Sequence, residues 1–190
     1  MAVEPPTPFV TAQQLSDYTN GKVASTHPAL VDMLAGASAG LRRYCGWHIG
    51  PTRREELVVD GSGGRLLLLP TLHVTQVHLV TEHGREPMLG DEVEWSAIGT
   101  LRAPTRWTER FRGVTVDLDH GYPLAEIPDI AQIVKQVVAT ALASPMGVTR
   151  EQAGQISVSW ATTAPNVAGG LSLLERDLAL LESYRLGSRA

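Results

Sequence analysis

Cys45, the chain's only cysteine, stands three positions before His48 in RRYCGWHIGP, and a thiol and an imidazole at that spacing could serve a metal or a nucleophile. A structural zinc site takes about four ligands. No second cysteine is there to complete a usual set. Nucleophilic catalysis needs an electropositive, partly open setting with a positioned base. Cys45 falls instead on an apolar helical face beside Tyr44 and Trp47, so packing is its expected role.

Two other groups could do chemistry. His73, His78 and His83 form a histidine-rich tract, but an odd step sends His73 and His78 to opposite faces of a regular strand. His83 belongs to the turn His83-Gly84-Arg85-Glu86 and is expected at a solvent-facing hairpin tip. Asp117 and Asp119 share a strand face with His120 following, residue types that a hydrolytic metal centre could use. Alternation places Val114, Val116 and Leu118 inward and both aspartates outward, the pattern of an ordinary half-exposed strand. A metal-dependent hydrolase using Asp117, Asp119 and His120 is kept as an alternative reading.

The run GSGGR, Gly61 to Arg65, has the composition of a phosphate cradle. Such loops open a helix whose amino terminus meets the anion. This one leads into Leu66 to Leu69 and then Pro70, so a hairpin turn is expected. No nucleophile elbow, paired acidic helix motif or dinucleotide fingerprint occurs. The chain is therefore read as a non-enzyme with no catalytic residue, no metal site and no cofactor.

The elements that must position these residues run helix, strands, helix. Residues 1 to 10, with three prolines, read as a flexible arm. Thr11 and Gln14 have capping-box spacing ahead of a short helix that Asn20-Gly21 stops. STHPALVDMLAGASAGLRRYCG carries Leu30, Leu34, Ala37, Leu41 and Tyr44 at helical spacing, with Val31, Ala35, Ser38 and Cys45 widening the stripe. Ser25 or Thr26 would cap it and Gly46 would end it, while small residues between Ala35 and Gly40 would admit a close neighbouring helix.

From Thr52 the period falls to two. EELVVDG, RLLLLPT, HVTQVHLVTE, EVEWSA, GTLRA and GVTVDLDHG read as strands of an antiparallel sheet or small sandwich. Helical period returns after Gly121-Tyr122-Pro123, most clearly in IPDIAQIVKQVVATALA. Residues 144 to 170 form a long excursion with one possible strand at Ile156 to Trp160. A last helix is expected over Ser172 to Leu186, with Ser172 and Glu175 as its capping box. The fold class is α+β, a small α-helical bundle with an inserted antiparallel β-sheet or β-sandwich. Residues 11–50 and 124–190 make the helical subdomain, and 51–123 make the inserted β subdomain.

With 190 residues and 43% hydrophobic content the chain can bury one good core or two small ones, and no apolar run approaches a membrane span. The start MAVEPPTPFV lacks a secretory pattern, so a reducing compartment is expected. A net charge of −4 argues against tight phosphate binding. A DNA-binding accessory protein, another alternative, would need a basic stripe that is not evident.

The succession YCGWHIGP, LVVDGSGGRLLLLPTLHVTQV, VEWSAIGTLR and then VTVDLDHGYP after Trp107 resembles the head-to-tail adaptor family of tailed bacteriophages, also called head-tail connector or head completion proteins. The likeness covers roughly residues 11 to 186. It implies a structural virion protein at the head-tail junction, assembled in the host cytoplasm as a homo-oligomeric ring of twelve copies beneath the portal protein. The ring extends the DNA channel without binding DNA specifically, and docks the next neck or tail protein, a stopper or tail terminator; no membrane is involved. On this reading Tyr44, Cys45, Trp47, Ile49 and Pro51 form a structural corner between helix and sheet. The last helix shows apolar residues on more than one side, which makes Leu173, Leu180, Tyr184, Arg185 and Leu186 the portal-interface candidates.

Overall fold

The computed structural model describes residues 7–143, 150–153, 156–159 and 173–187. The chain forms two compact units, Met1–Tyr44 with Ile127–Ser183 and Cys45–Glu126 with Tyr184–Ala190. No helix among the described residues is long and apolar enough to cross a membrane.

In the helical unit, α1 (Ala12–Tyr18) starts as its sequence dictates. Thr11 Oγ1 accepts the Gln14 amide at 3.2 Å, and Gln14 Oε1 accepts the Thr11 amide at 2.8 Å. Asn20 and Gly21, both at positive φ, end it. Helix α2 (Leu30–Cys45) begins later than the Ser25 or Thr26 cap predicts. His27 takes that place, its Nδ1 accepting the Ala29 amide at 3.3 Å and its carbonyl the Leu30 amide. Leu34, Ala37, Ser38 and Leu41 are buried, while Val31 at 63% exposure and Ala35 lie outside the stripe. In the stretch of small residues Ala37 and Ser38 are buried, while a Cβ on Gly40 would meet nothing within 4 Å.

The arm is packed from Thr7 onward, contrary to its polar, proline-rich appearance. Phe9 and Val10 are buried, the Phe9 amide donates to Ser38 Oγ, and the Arg42 guanidinium lies 4.2 Å over the Phe9 ring while donating to the Thr7 carbonyl. Burying such a ring is worth about 1.5–3 kcal/mol, enough to hold a short extended segment. Helix α3 (Pro128–Ala143) presents Ile130, Ile133, Val134, Val137, Val138 and Ala141 inward. Strands β8 (Arg150–Ala153) and β9 (Ile156–Ser159) pair as a hairpin, of which the sequence suggests only the second. The rest of the 144–170 excursion lies outside the described residues.

Helix α4 (Glu175–Leu181) is shorter than predicted and differently capped. Its N-cap is Leu174, whose amide donates to the buried Asp177 carboxylate at 3.0 Å, and a single 3₁₀ turn, Glu182–Tyr184, follows. Tyr184 and the residues after it belong with the β unit, not with the helices as the 124–190 boundary supposes.

The β unit holds two antiparallel sheets. One runs β1 (Arg53–Val59), β7 (Val114–His120), β3 (Val74–Glu82), β4 (Met88–Leu89); the other runs β2 (Leu66–Leu68), β6 (Thr100–Arg102), β5 (Glu94–Trp95). Leu67, Leu101, Val77, Val80, Val116 and Leu118 from both sheets share one core, the sandwich form of the expectation. Strand β7 alternates without fault, but β3 carries register shifts at Val74/Gln76 and Val77/Leu79. These shifts change which face each side chain occupies, so the parity argument for His73 and His78 does not apply to this strand.

The glycine run is not a hairpin turn, because β1 and β2 belong to different sheets. It carries the chain between them against a second backbone: Gly61 donates to the Arg110 carbonyl, Gly63 to Thr108, and Gly64 accepts from Trp107. A Cβ on Gly61 would lie 2.0 Å from the Thr108 carbonyl oxygen. At the far end of β3 the Glu82 carboxylate, 1% exposed, accepts the Thr108 amide at 2.5 Å and Arg85 Nη1 at 2.7 Å. Gly61→Ala is expected to lower unfolding free energy by about 2 kcal/mol or more. Gly64→Ala, whose new methyl meets nothing closer than 3.8 Å, should cost under about 1 kcal/mol. Urea midpoints of the two variants compare them directly.

Candidate functional site

A cluster of aromatic and titratable side chains in the β unit lies where its first residues, the end of β7 and the tail after α4 converge. Cys45 is fully buried, and its carbonyl accepts the Leu186 amide at 2.8 Å. Gly46 at φ +82° turns the chain, and Trp47, 6% exposed, donates its indole N–H to the Tyr184 carbonyl at 2.6 Å. Ile49 is fully buried at φ +64°, a region that β-branched residues rarely adopt. Its carbonyl accepts the Tyr122 amide at 2.6 Å, and the Gly50 amide donates to the His48 carbonyl, so neighbouring contacts hold the strained residue in place. Pro51 follows through a cis bond, and its carbonyl receives His48 Nε2–H at 2.6 Å.

Gly121 closes the cluster from the other side. At φ +95° it holds a conformation that L side chains rarely adopt, and a Cβ would sit tight against the Pro51 carbonyl oxygen at 3.0 Å and His48 at 3.1 Å. Tyr122 then stacks on His73 at 4.2 Å between centroids and meets Trp47 and Tyr184 edge-on at 5.9 and 5.7 Å. Burial, with a smaller contribution from Glu126, raises the Tyr122 hydroxyl above its ordinary range. The corner read from sequence in Cys45, Trp47, Ile49 and Pro51 is thus one part of a larger cluster. Tyr44 belongs to the other unit, where its hydroxyl donates to Glu182.

His73, His120, Tyr122 and Tyr184 join this cluster only through strand pairing and the returning tail, whereas His48 belongs to the local stretch that reaches Pro51. His120 is 2% exposed, with Nε2 2.9 Å from Glu55 Oε2 and Nδ1 3.2 Å from Thr71 Oγ1. Burial holds the imidazole below its ordinary range, although Glu55 pulls the other way. Burial acts to raise the Glu55 carboxyl, but hydrogen bonds from His120 and Arg53 outweigh it and hold the group low. Arg53 and Asp119 exert smaller opposing effects on His120, and the His48 ring lies 5.6 Å away.

The candidate metal residues are not brought together. Asp117 receives both arms of Arg54 at 2.8 and 2.5 Å, and Asp119 pairs with His78 at 2.8 Å, both half-buried on the outward side of β7. His120 points inward in the same alternation and serves Glu55 instead. Among the described residues no three such groups could hold a metal ion. The portal candidates also divide. Leu180 is 53% exposed and Arg185 exposed, Leu173 is half-buried, whereas Tyr184 and Leu186 are engaged by Trp47, Tyr122 and Cys45.

Two outcomes follow for the cluster. Between its depressed native value and about 6.5 in the unfolded chain, His120 binds more protons unfolded than folded. Its contribution is therefore complete above that unfolded value and is lost as pH falls through the native one, with the contribution of Glu55 lost at lower pH still. The urea midpoint should fall from pH 7 to pH 5.5, and His120→Gln should flatten that slope. At Cys45, serine puts a hydroxyl into an apolar setting and should cost about 1–2 kcal/mol more than alanine. Equal loss of assembly in both variants, with stability unchanged, would restore a functional role to the thiol.

No protein-family profile matches the sequence, and no curated protein sequence matches it. Solved structures do. A chain in the neck of a native GTA particle, computed with C12 symmetry, superposes with a TM-score of 0.59 at 18% identity, over 100% of this chain and 100% of that one. A chain in the neck of an empty GTA particle, computed with C6 symmetry, superposes with a TM-score of 0.54 at 18% identity, over 100% of this chain and 97% of that one. The likeness is one of fold, and it runs through the helical and β units alike.

Proposed function

We propose that this chain is a structural neck protein of a tailed phage or phage-like particle, a head-to-tail adaptor that forms a ring under the portal. One observation carries the reading, the end-to-end fold match to neck chains of a gene transfer agent solved with C12 and C6 symmetry. The architecture fits the task. The Asp117, Asp119 and His120 groups each serve a local partner, Arg54, His78 and Glu55, so residues with catalytic chemistry act as fasteners between strands. The net charge of −4 suits a channel along which DNA slides without being gripped. The neighbours of such a ring are the portal above, the next neck or tail protein below, and further copies alongside.

Within the last segment, Leu180 and Arg185 are the exposed candidates for the portal contact, while Tyr184 and Leu186 hold the β unit together. Removing the whole segment would therefore damage the fold as well as the contact. Electron microscopy of the purified chain with its cognate portal is expected to show a ring seated on the portal. A folded monomer that leaves the portal bare would refute the adaptor reading. Leu180→Asp should keep the wild-type melting temperature and weaken portal binding by about tenfold. Unchanged binding would remove α4 from the contact.

A further inference from the structure

We infer that neighbouring copies meet head to tail through opposite flanks of the β unit, an anionic flank at β4 and β5 entering a groove at β1 and β2 that is rimmed by unpaired arginines. The inference rests on the ring reading and names the surfaces through which a ring would close.

Strand order defines the flanks. β1 and β2 stand at one end of their sheets and β4 and β5 at the other. Short links, 60–65 and 90–93, bridge the two sheets on each side. On the first flank a groove of about 440 Å³ lies between Val58, Asp60, Leu68, Pro70, Arg112 and Leu186, with Val58 39% and Leu68 45% exposed and the Asp60 carboxylate taken up by the Arg112 amide. Beside it runs Arg110-Phe111-Arg112, fixed by Gly61 N–H on the Arg110 carbonyl and by the Arg112 amide on Asp60 Oδ1. Phe111 is 86% exposed.

Elsewhere in the β unit four arginines are ion-paired, while Arg65 donates to the Pro104 carbonyl. Arg53, Arg54, Arg85 and Arg102 all form ion pairs, to Glu55, Asp117, Glu82 and Glu94. Arg106, Arg110 and Arg112 are exposed and form none among the described residues. The opposite flank is their chemical complement. From Glu86 to Trp95 the chain holds four carboxylates and no cationic residue, but Arg65 and Arg102 line one pocket with Glu92 and Glu94, which leaves Glu86 and Asp91 as the carboxylates this flank offers. Glu86 and Asp91 are exposed without an ion pair among the described residues, and beside them Leu89 is 58% exposed.

A bare phenylalanine between guanidiniums, next to an apolar groove, has the composition of a protein interface. Phosphates could neutralise the arginines but would leave Phe111 and the groove unfilled, which favours a protein partner over duplex DNA. The partner that supplies both carboxylates and an exposed leucine is a second copy of this chain. A contact between two different patches of identical subunits is heterologous, and it propagates from copy to copy until the rotation closes.

Cross-linking tests this on the full chain, whose native Cys45 is buried. Leu68→Cys and Leu89→Cys variants are mixed in equal amounts and treated with a short bismaleimide, which captures transient contacts. The mixture should give a covalent dimer, each variant alone should stay monomeric, and the double variant should give a series of multimers. Adding Glu86→Arg and Asp91→Arg to the Leu89→Cys chain should cut the dimer about tenfold, and Arg110→Glu with Arg112→Glu in the other chain should restore it. Dimers from either single variant alone would overturn the head-to-tail geometry. Rings in the microscope without a cross-link in the mixture would overturn these surfaces and leave the ring reading standing. Absence of both would overturn the two together, and loss of duplex-DNA binding in Arg110→Glu/Arg112→Glu without any cross-link would assign the arginines to nucleic acid.

Discussion

The β unit depends on the hydrogen bond from the Tyr122 amide to the Ile49 carbonyl, made possible by Gly121, whose φ of +95° suits glycine and whose backbone lies close against Pro51 and His48. That contact sets the start of the β1–β7 ladder, whose first pair is Arg53 with His120. Because side chains alternate, a slip of one residue would turn Val114, Val116, Leu118 and His120 outward and Asp117 and Asp119 into the core. One backbone contact thus fixes the register of the central strand, and the central strand carries β1 on one side and β3 on the other. Ile49 holds a left-handed conformation, at a cost of about 1–3 kcal/mol, where its full burial and its accepted hydrogen bond outweigh the strain.

The polar groups follow the same logic. The Asp-x-Asp-His end of β7 is spent on holding strands in place: Asp117 on Arg54, Asp119 on His78, and the inward His120 on Glu55 and Thr71. The outward pairs join adjacent strands across the sheet face, where exposed ion pairs contribute little individually. His120 is the costlier choice, because a buried titratable ring needs its partners. Its loss would leave Glu55 with Arg53 alone.

Much of this was legible in the sequence wherever the determinant is local. The Thr11–Gln14 cap, the α3 stripe and the strict alternation of β7 follow from periodicity and capping chemistry acting within a few residues. Features set by distant partners were not. GSGG looks like a turn until the backbone at Thr108 and Arg110 is placed beside it, and β3 looks regular until its two shifts appear. The two-residue strand β4 has no pattern to read, and the Ser172–Glu175 spacing points to a helix start two residues before Leu174, whose amide the Asp177 carboxylate accepts. Half the corner was visible in YCGWHIGP because its residues are neighbours. Tyr122, Tyr184, His73 and His120 reach it only through tertiary structure.

The buried Glu82 has a wider consequence. Its carboxylate receives the Thr108 amide and Arg85, whose guanidinium also donates to Thr105 Oγ1, so the end of β3 clamps the segment that leads toward Phe111. A loop held open to solvent at that many points has already lost most of its conformational entropy during folding. Whatever meets it need not supply that ordering again, so association draws on preorganisation more than on contact area. A polar clamp inside the sandwich thereby sets how much order the exposed loop still has to gain outside it.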